Sequence, residues 1–182
     1  MPAFHVRRLK EADIPALLLI QQRSPESAQW TARQYASTVA AEGGAGGLVI
    51  ESDNSVIGFL TYLSAVAAEA EVTNLAVDPA HRRSGAAKLL LDALRRKVAG
   101  DIFLEVRAAN EAAQALYRQA GFAAVSRRKS YYDNPPDDAV IMKSTRPSQA
   151  PPETAEVEQP RQTGGAKRAA GAGIISSDGG GT

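Results

Sequence analysis

Between Val77 and Lys88 the chain concentrates residue types that can hold a phosphate. An apolar, strand-like run (Leu75, Ala76, Val77) stops at Asp78-Pro79. A short turn carrying Arg82, Arg83, Ser84 and Gly85 follows, and an amphipathic helix opens at Ala86, Ala87 and Lys88. That order collects backbone N–H groups, the positive end of a helix dipole and two arginines around one point, which suits an anion. Small residues keep the backbone open to a diphosphate, where a bulky side chain would block it. An ordinary solvated helix start fits the same pattern, so the turn alone decides nothing.

Two further residues could move protons. The run Ile102-Phe103-Leu104-Glu105-Val106-Arg107 holds a carboxylate within an otherwise apolar strand. Alternation sends Ile102, Leu104 and Val106 to one face and Phe103, Glu105 and Arg107 to the other. Glu105 either opens into a cleft or pairs with a neighbour such as Arg107 at the sheet's rim. Tyr117 shares a helical stripe with Ala113, Leu116 and Ala120. A core tyrosine and a proton donor facing a site both fit that position.

The elements that must position these residues are legible from periodicity. Residues 3–9 read as a strand, and Ile14, Leu17 and Leu18 begin a helix that runs to about Arg23. Thr31 and Gln34 form a capping-box pattern for a helix over 32–42, ended by glycines at 43, 44, 46 and 47. Strands are expected at 48–50 and 56–62 around the turn 52–55, and again at 71–77. Ala87, Leu90, Leu91, Leu94 and Val98 repeat at helical spacing until Gly100. A strand at 101–107 leads to a helix capped by Asn110 and closed by Gly121. Strands at 122–128 and 138–144 complete an α/β sandwich around a mixed sheet.

Composition bounds the rest. The chain has 182 residues, enough for one well-buried domain, and 21 Lys plus Arg against 20 Asp plus Glu, so no basic field argues for nucleic acid. With no cysteine and 2 histidines, a disulfide, a thiol nucleophile and most metal sites fall away, and no metal is expected. The opening residues lack a signal-peptide core and no run reaches membrane-spanning length, so a soluble, cytoplasmic protein is expected. Residues 146–182 hold 4 of the 10 prolines, 7 of the 15 glycines and no aromatic residue. Nothing there offsets the entropy of ordering, which predicts a domain over 1–145 and a disordered tail over 146–182.

Three segments together resemble the GNAT acetyltransferases. They are Asn74 to Pro79, Arg82-x-x-Gly85-x-Ala87, and Asn110-Glu111-Ala112-Ala113-x-Ala115-Leu116-Tyr117-x-x-x-Gly121-Phe122. Leu104 to Asn110, Arg127-Arg128-Lys129-Ser130-Tyr131-Tyr132 and Asp138 to Met142 resemble the RimI-type ribosomal-protein-alanine N-acetyltransferases within that family. The resemblance implies a mixed, mostly antiparallel sheet of about seven strands flanked by helices, and acetyl-CoA as acetyl donor. It implies that the backbone of Leu75, Ala76 and Val77 runs beside the pantetheine, with the Val77 N–H on the thioester oxygen. By the same resemblance, Arg82, Arg83, Ser84, Gly85, Ala86, Ala87 and Lys88 wrap the pyrophosphate, and Asn110 touches the cofactor. Glu105 is then the general base and Tyr117 the general acid, in direct attack with no covalent enzyme intermediate.

An α-amino group ionises near ~7.8 and a lysine side chain near ~10.4, so freeing the lysine amine costs about 3.5 kcal/mol more at neutral pH. That leans toward an N-terminal acceptor: an alanine, most plausibly of a small-subunit ribosomal protein, bound by a monomer. Trp30 and Tyr131, with Tyr132, are expected to wall the acceptor site, although Trp30 could equally be a staple on its helix. Arg127, Arg128 and Lys129 could favour an acidic acceptor or simply be solvated. Ala87 replaces the turn's second glycine, and His81 stands where relatives often carry tyrosine. A transferase for lysine or a small amine and a non-catalytic acetyl-CoA sensor are the alternatives. An ATPase is remote because no Gly-Lys-Ser/Thr closes the turn.

Overall fold

The computed structural model describes residues 3–41, 44–66 and 69–144. The tail expected over 146–182 lies outside the described residues. In chain order the elements are β1 (His5–Arg8), α1 (Ile14–Gln22), α2 (Ala32–Ala40), β2 (Ala45–Ser52), β3 (Ser55–Val66), β4 (Glu69–Val77), α3 (Ala86–Lys97), β5 (Ile102–Arg107), α4 (Glu111–Gln119), β6 (Ala123–Asp133) and β7 (Pro136–Ser144). The strands form one seven-stranded sheet in the order β1-β2-β3-β4-β5-β7-β6. Only β4 and β5 pair in parallel; every other neighbour is antiparallel. This is the mixed, mostly antiparallel sheet that the resemblance implies.

Apolar side chains leave the sheet on both faces. Leu60, Leu75, Val77, Leu104 and Val106 pack with Leu90, Leu91, Leu94, Tyr117 and Phe122 of the α3/α4 layer. Val49, Phe59 and Ala76 pack with Leu17, Ile20 and Tyr35 of the α1/α2 layer. The alternation read for β5 holds: Ile102, Leu104 and Val106 are buried and Phe103, Glu105 and Arg107 half-buried. Arg95 locks the end of the α3/α4 layer, donating to the Ala120 carbonyl and to Ser144 Oγ while lying over the Phe122 ring. Ala120 is one of the carbonyls that the end of α4 leaves without a helical partner.

Several boundaries differ from the sequence reading. Gly46 and Gly47 belong to β2 rather than to a helix stop: a Cβ on Gly46 would strike the Tyr62 ring, and one on Gly47 would strike Leu9. Their role is close packing. The third helix ends at Lys97, and Val98 caps it in an extended conformation. Strands β6 and β7 run on to a tight reversal, Asp133 opposite Pro136, so both tyrosines of the pair 131–132 lie within β6.

The segment between α1 and α2 is held by a buried polar network. Thr31 and Gln34 form the expected capping box. Trp30 stands just before the cap and packs on Tyr35, ring centroids 5.4 Å apart, which is a hydrophobic staple. Gln21 bonds the Trp30 amide and carbonyl and accepts from the Tyr35 hydroxyl at 2.7 Å. Asn74 of β4 donates to that hydroxyl at 3.2 Å and to the Ala28 carbonyl at 3.0 Å, tying the segment to the middle of the sheet. Replacing Tyr35 by Phe removes one hydrogen-bond partner from each of two buried amide side chains. The expected loss is about 1–3 kcal/mol in a urea titration; an unchanged midpoint removes this network as a source of stability.

Candidate functional site

The parallel ladder between β4 and β5 consists of Ala70↔Ile102, Glu71↔Phe103 and Val72↔Leu104, and goes no further. Beyond it β4 stays paired with β3 as far as Val77, and β5 stays paired with β7 as far as Arg107. The two strands therefore part, and their facing edges line a split. The Asp78 amide donates to the Ile57 carbonyl on the β3 side at 2.8 Å. Backbone groups alternate sides along a strand, so the Val77 and Leu75 amides point the other way, into the split.

At the end of β4 the turn sits as the sequence suggests. Asp78 caps a 3-10 turn over Pro79–His81, Arg83 and Gly85 adopt positive φ (57° and 88°), and α3 begins at Ala86. A Cβ on Gly85 would meet nothing within 4 Å, so glycine serves the left-handed backbone there and its surface is open. Gly85 offers α3 no side-chain cap; Ser84 Oγ accepts from the Ala86 amide at a long 3.4 Å while donating to His81 O at 2.6 Å. Arg82 pairs with Glu26 (3.2 Å) and Lys88 with Asp92 (2.7 Å). Arg83 is exposed and makes no ion pair among the described residues. The Arg82 Nε is buried without a partner.

Tyr117 is wholly buried on the α3/α4 face, edge-on to Phe122 at 5.8 Å, and its hydroxyl has no partner. Burial, with Tyr132 nearby, pushes its ionisation far above the usual phenol range, so it is a protonated donor at any working pH. Asn110 caps α4, its Oδ1 accepting from the Ala113 amide at 3.0 Å, and so fixes the start of the helix that carries Tyr117.

Glu105 lies on the opposite face, its side chain 12% exposed, and takes a 2.5 Å bond from Arg128 Nη1. Arg107, the partner weighed from sequence, instead donates to the carbonyls of Asn134 and Pro135 and lies 4.0 Å over the Tyr132 ring. The difference arises in β6, whose ladder with β7 skips from Arg128↔Ala139 to Tyr132↔Asp137. Lys129, Ser130 and Tyr131 form a bulge there, with Ser130 at φ 50°. Burial and the adjoining Glu105 carboxylate push the Tyr131 hydroxyl up to about 12. Arg127 pairs with Asp138 (2.7 Å), so two of the three consecutive cations are neutralised within the chain. That weakens the case for an acidic acceptor.

Sequence reasoning missed Arg128 as a partner of Glu105, and Tyr132 as a buried hydroxyl without a partner. The cluster 127–129 was visible, but the bulge that redirects it has no local signature beyond an ordinary polar run. Among the described residues no group of three or more His, Cys, Asp or Glu could hold a metal, and no helix is long and apolar enough to cross a membrane.

Parted strands with a free amide edge, a turn open at Gly85 and a buried tyrosine fit an acyl-CoA-binding transferase. Residues 12–122 match the Acetyltransferase (GNAT) family, and the chain belongs to that family. It is an acetyl-CoA-dependent N-acetyltransferase. The ribosomal protein bS18-alanine N-acetyltransferase of Escherichia coli (strain K12) is 33% identical over 144 residues, covering 75% of this chain and 94% of the relative. The crystal structure of the E. coli ribosomal-protein-S18-alanine enzyme superposes with a TM-score of 0.69 at 28% identity, over 85% of this chain and all of that one. Arabidopsis thaliana NAA60 in complex with acetyl-CoA shares the fold at 18% identity, with a TM-score of 0.69 over 79% of this chain and 98% of that one. The residues present fit the donor: the Gly85 surface is open and the Tyr117 hydroxyl lacks a partner.

The Asp138 carboxyl is held below the usual range, first by the Ser130 amide (2.8 Å) and then by Arg127. Its hold on the bulge is complete above the free-aspartate value of about 3.9 and is lost as pH falls through the lower folded value. Exchange at the Ser130 amide, corrected for intrinsic rate, is expected to accelerate on that acidification and to be fast at every pH in D138A. Equal protection in D138A at neutral pH refutes this anchor.

Proposed function

We propose that the protein acetylates the α-amino group of an N-terminal alanine on a ribosomal protein, with S18 the first candidate, and acts in the cytoplasm. The domain responsible spans about residues 1–145. The observation that carries this reading is the Glu105 carboxylate at the edge of the split on one face, with the unpartnered Tyr117 hydroxyl in the layer beneath the other. Similarity to the E. coli alanine transferase over most of both chains supports the choice of acceptor.

Acetyl-CoA supplies an acetyl group activated as a thioester. Val77 N–H donates to the thioester oxygen, where a preorganised backbone amide stabilises developing negative charge. The backbone of Leu75 and Ala76 extends the same strand alongside the pantetheine. Arg82, Arg83, Ser84, Gly85, Ala86, Ala87 and Lys88 hold the pyrophosphate, with Arg83 an exposed cation that makes no ion pair among the described residues and the α3 amides the fixed donors. Asn110 touches the donor from the start of α4. Glu105 accepts the α-ammonium proton through a water, and the Tyr117 hydroxyl donates to the departing sulfur. Tyr131, beside Glu105, and Trp30 form walls of the acceptor site; Trp30 serves there while stapled to Tyr35.

An N-terminal amine suits a single carboxylate base because it is freed at lower cost than a lysine amine. E105Q is expected to lower kcat by roughly a hundredfold or more while leaving the KM for acetyl-CoA near normal. Y117F is expected to lower kcat in the same way. Peptides differing only in the first residue should be ranked by kcat/KM with alanine first. Equal rates across first residues, or faster turnover of a lysine peptide or polyamine, end the proposed specificity.

A further inference from the structure

Arg128 is an arginine for which the transfer chemistry has no direct use, yet it makes a short ion pair with the residue read as base. In the sheet β7 lies between β5 and β6, and Arg107, Ala139 and Arg128 stand in register across the three strands. The Arg128 side chain therefore spans the width of β7 to reach Glu105, with Nη1 2.5 Å from Oε1. Its guanidinium also lies 5.5 Å from the Tyr131 ring centroid, and the Tyr131 hydroxyl adjoins the same carboxylate. Arg128 directly precedes the bulge and Tyr131 is its last residue, and Asp138 pins the bulge's backbone through Ser130. Neighbouring Arg127 is engaged by Asp138 and points its charge elsewhere.

We propose that Arg128 is a positioning residue for Glu105, holding one carboxylate oxygen so that the other is presented toward the split. This rests on Glu105 being the base. A glutamate has three freely rotating side-chain torsions, and a base at an open edge loses rate whenever it swings away from the acceptor. The guanidinium tethers it through a charge-assisted hydrogen bond, and the bulge supplies the register from which an arginine on β6 can reach β5. The competing account is an inert surface pair, since the Arg128 side chain is 54% exposed and such pairs commonly contribute little.

Kinetics of R128A, R128K, E105Q and the E105Q/R128A double variant, with thermal melts to verify folding, separate these accounts. R128A is expected to lose roughly tenfold in kcat with an unchanged KM for acetyl-CoA. R128K should recover part of that loss. Millimolar guanidinium chloride, but not sodium chloride, should restore R128A through the exposed side of the site and leave the double variant unaffected. The double variant should be no slower than E105Q alone, because two residues acting through one group are not additive. If R128A keeps wild-type kcat, or if the double loss is the product of the single losses, Arg128 does not position the base. If E105Q itself turns over normally, the base assignment fails and this proposal falls with it.

Discussion

Everything at the site follows from the early end of one parallel ladder. Strands β4 and β5 share three residue pairs and then separate, each held by its other neighbour: β4 by β3, and β5 by β7 along its whole length. Sheets twist, and two strands anchored on their outer sides can diverge without losing their own registers. Backbone amides on the inner edge of β4 are then left without strand partners. In a buried position such groups require a ligand or water. A sheet paired throughout would be more cohesive and would leave β4 no free edge for the proposed donor.

The roles proposed for Tyr117 and Glu105 require residues on opposite faces of a sheet to serve one reaction. Tyr117 belongs to the apolar layer under α3 and α4, and Glu105 faces the other side. In a continuous sheet the backbone would separate them. In the proposed mechanism it is the parting of β4 and β5 that lets them act together. The environments differ accordingly: the tyrosine is wholly buried and stays protonated, while the glutamate is partly exposed and salt-bridged. As the proposed acid and base, a dry proton donor and a wetter acceptor suit amine acylation at neutral pH.

The aromatic residues proposed to wall the acceptor site are placed by irregularities rather than by regular elements. A bulge in β6, a buried Gln21–Tyr35–Asn74 network and the Trp30 staple set the positions of the aromatic residues there. Bulges re-aim side chains in this way, and they recur beside functional sites. The consecutive cations at 127–129 do not act as one basic patch, because Arg127 and Arg128 each face their own carboxylate.

Local sequence by itself determined the order of elements, the Thr31–Gln34 and Asn110 caps, the left-handed helix end at Gly121, and the inside–outside alternation of β5. All of these depend on spacings of one to four residues, which the chain displays directly. It also displayed the turn at 82–88, since those residues are contiguous in the chain. The partner of Glu105 was decided only by tertiary structure, as were the packing that makes Gly46 and Gly47 strand residues and the place where β4 leaves β5. Each of these brings together residues far apart in the chain, 23 positions in the case of Glu105 and Arg128. Such pairings are set by sheet register and by a bulge, and no short-range pattern encodes either.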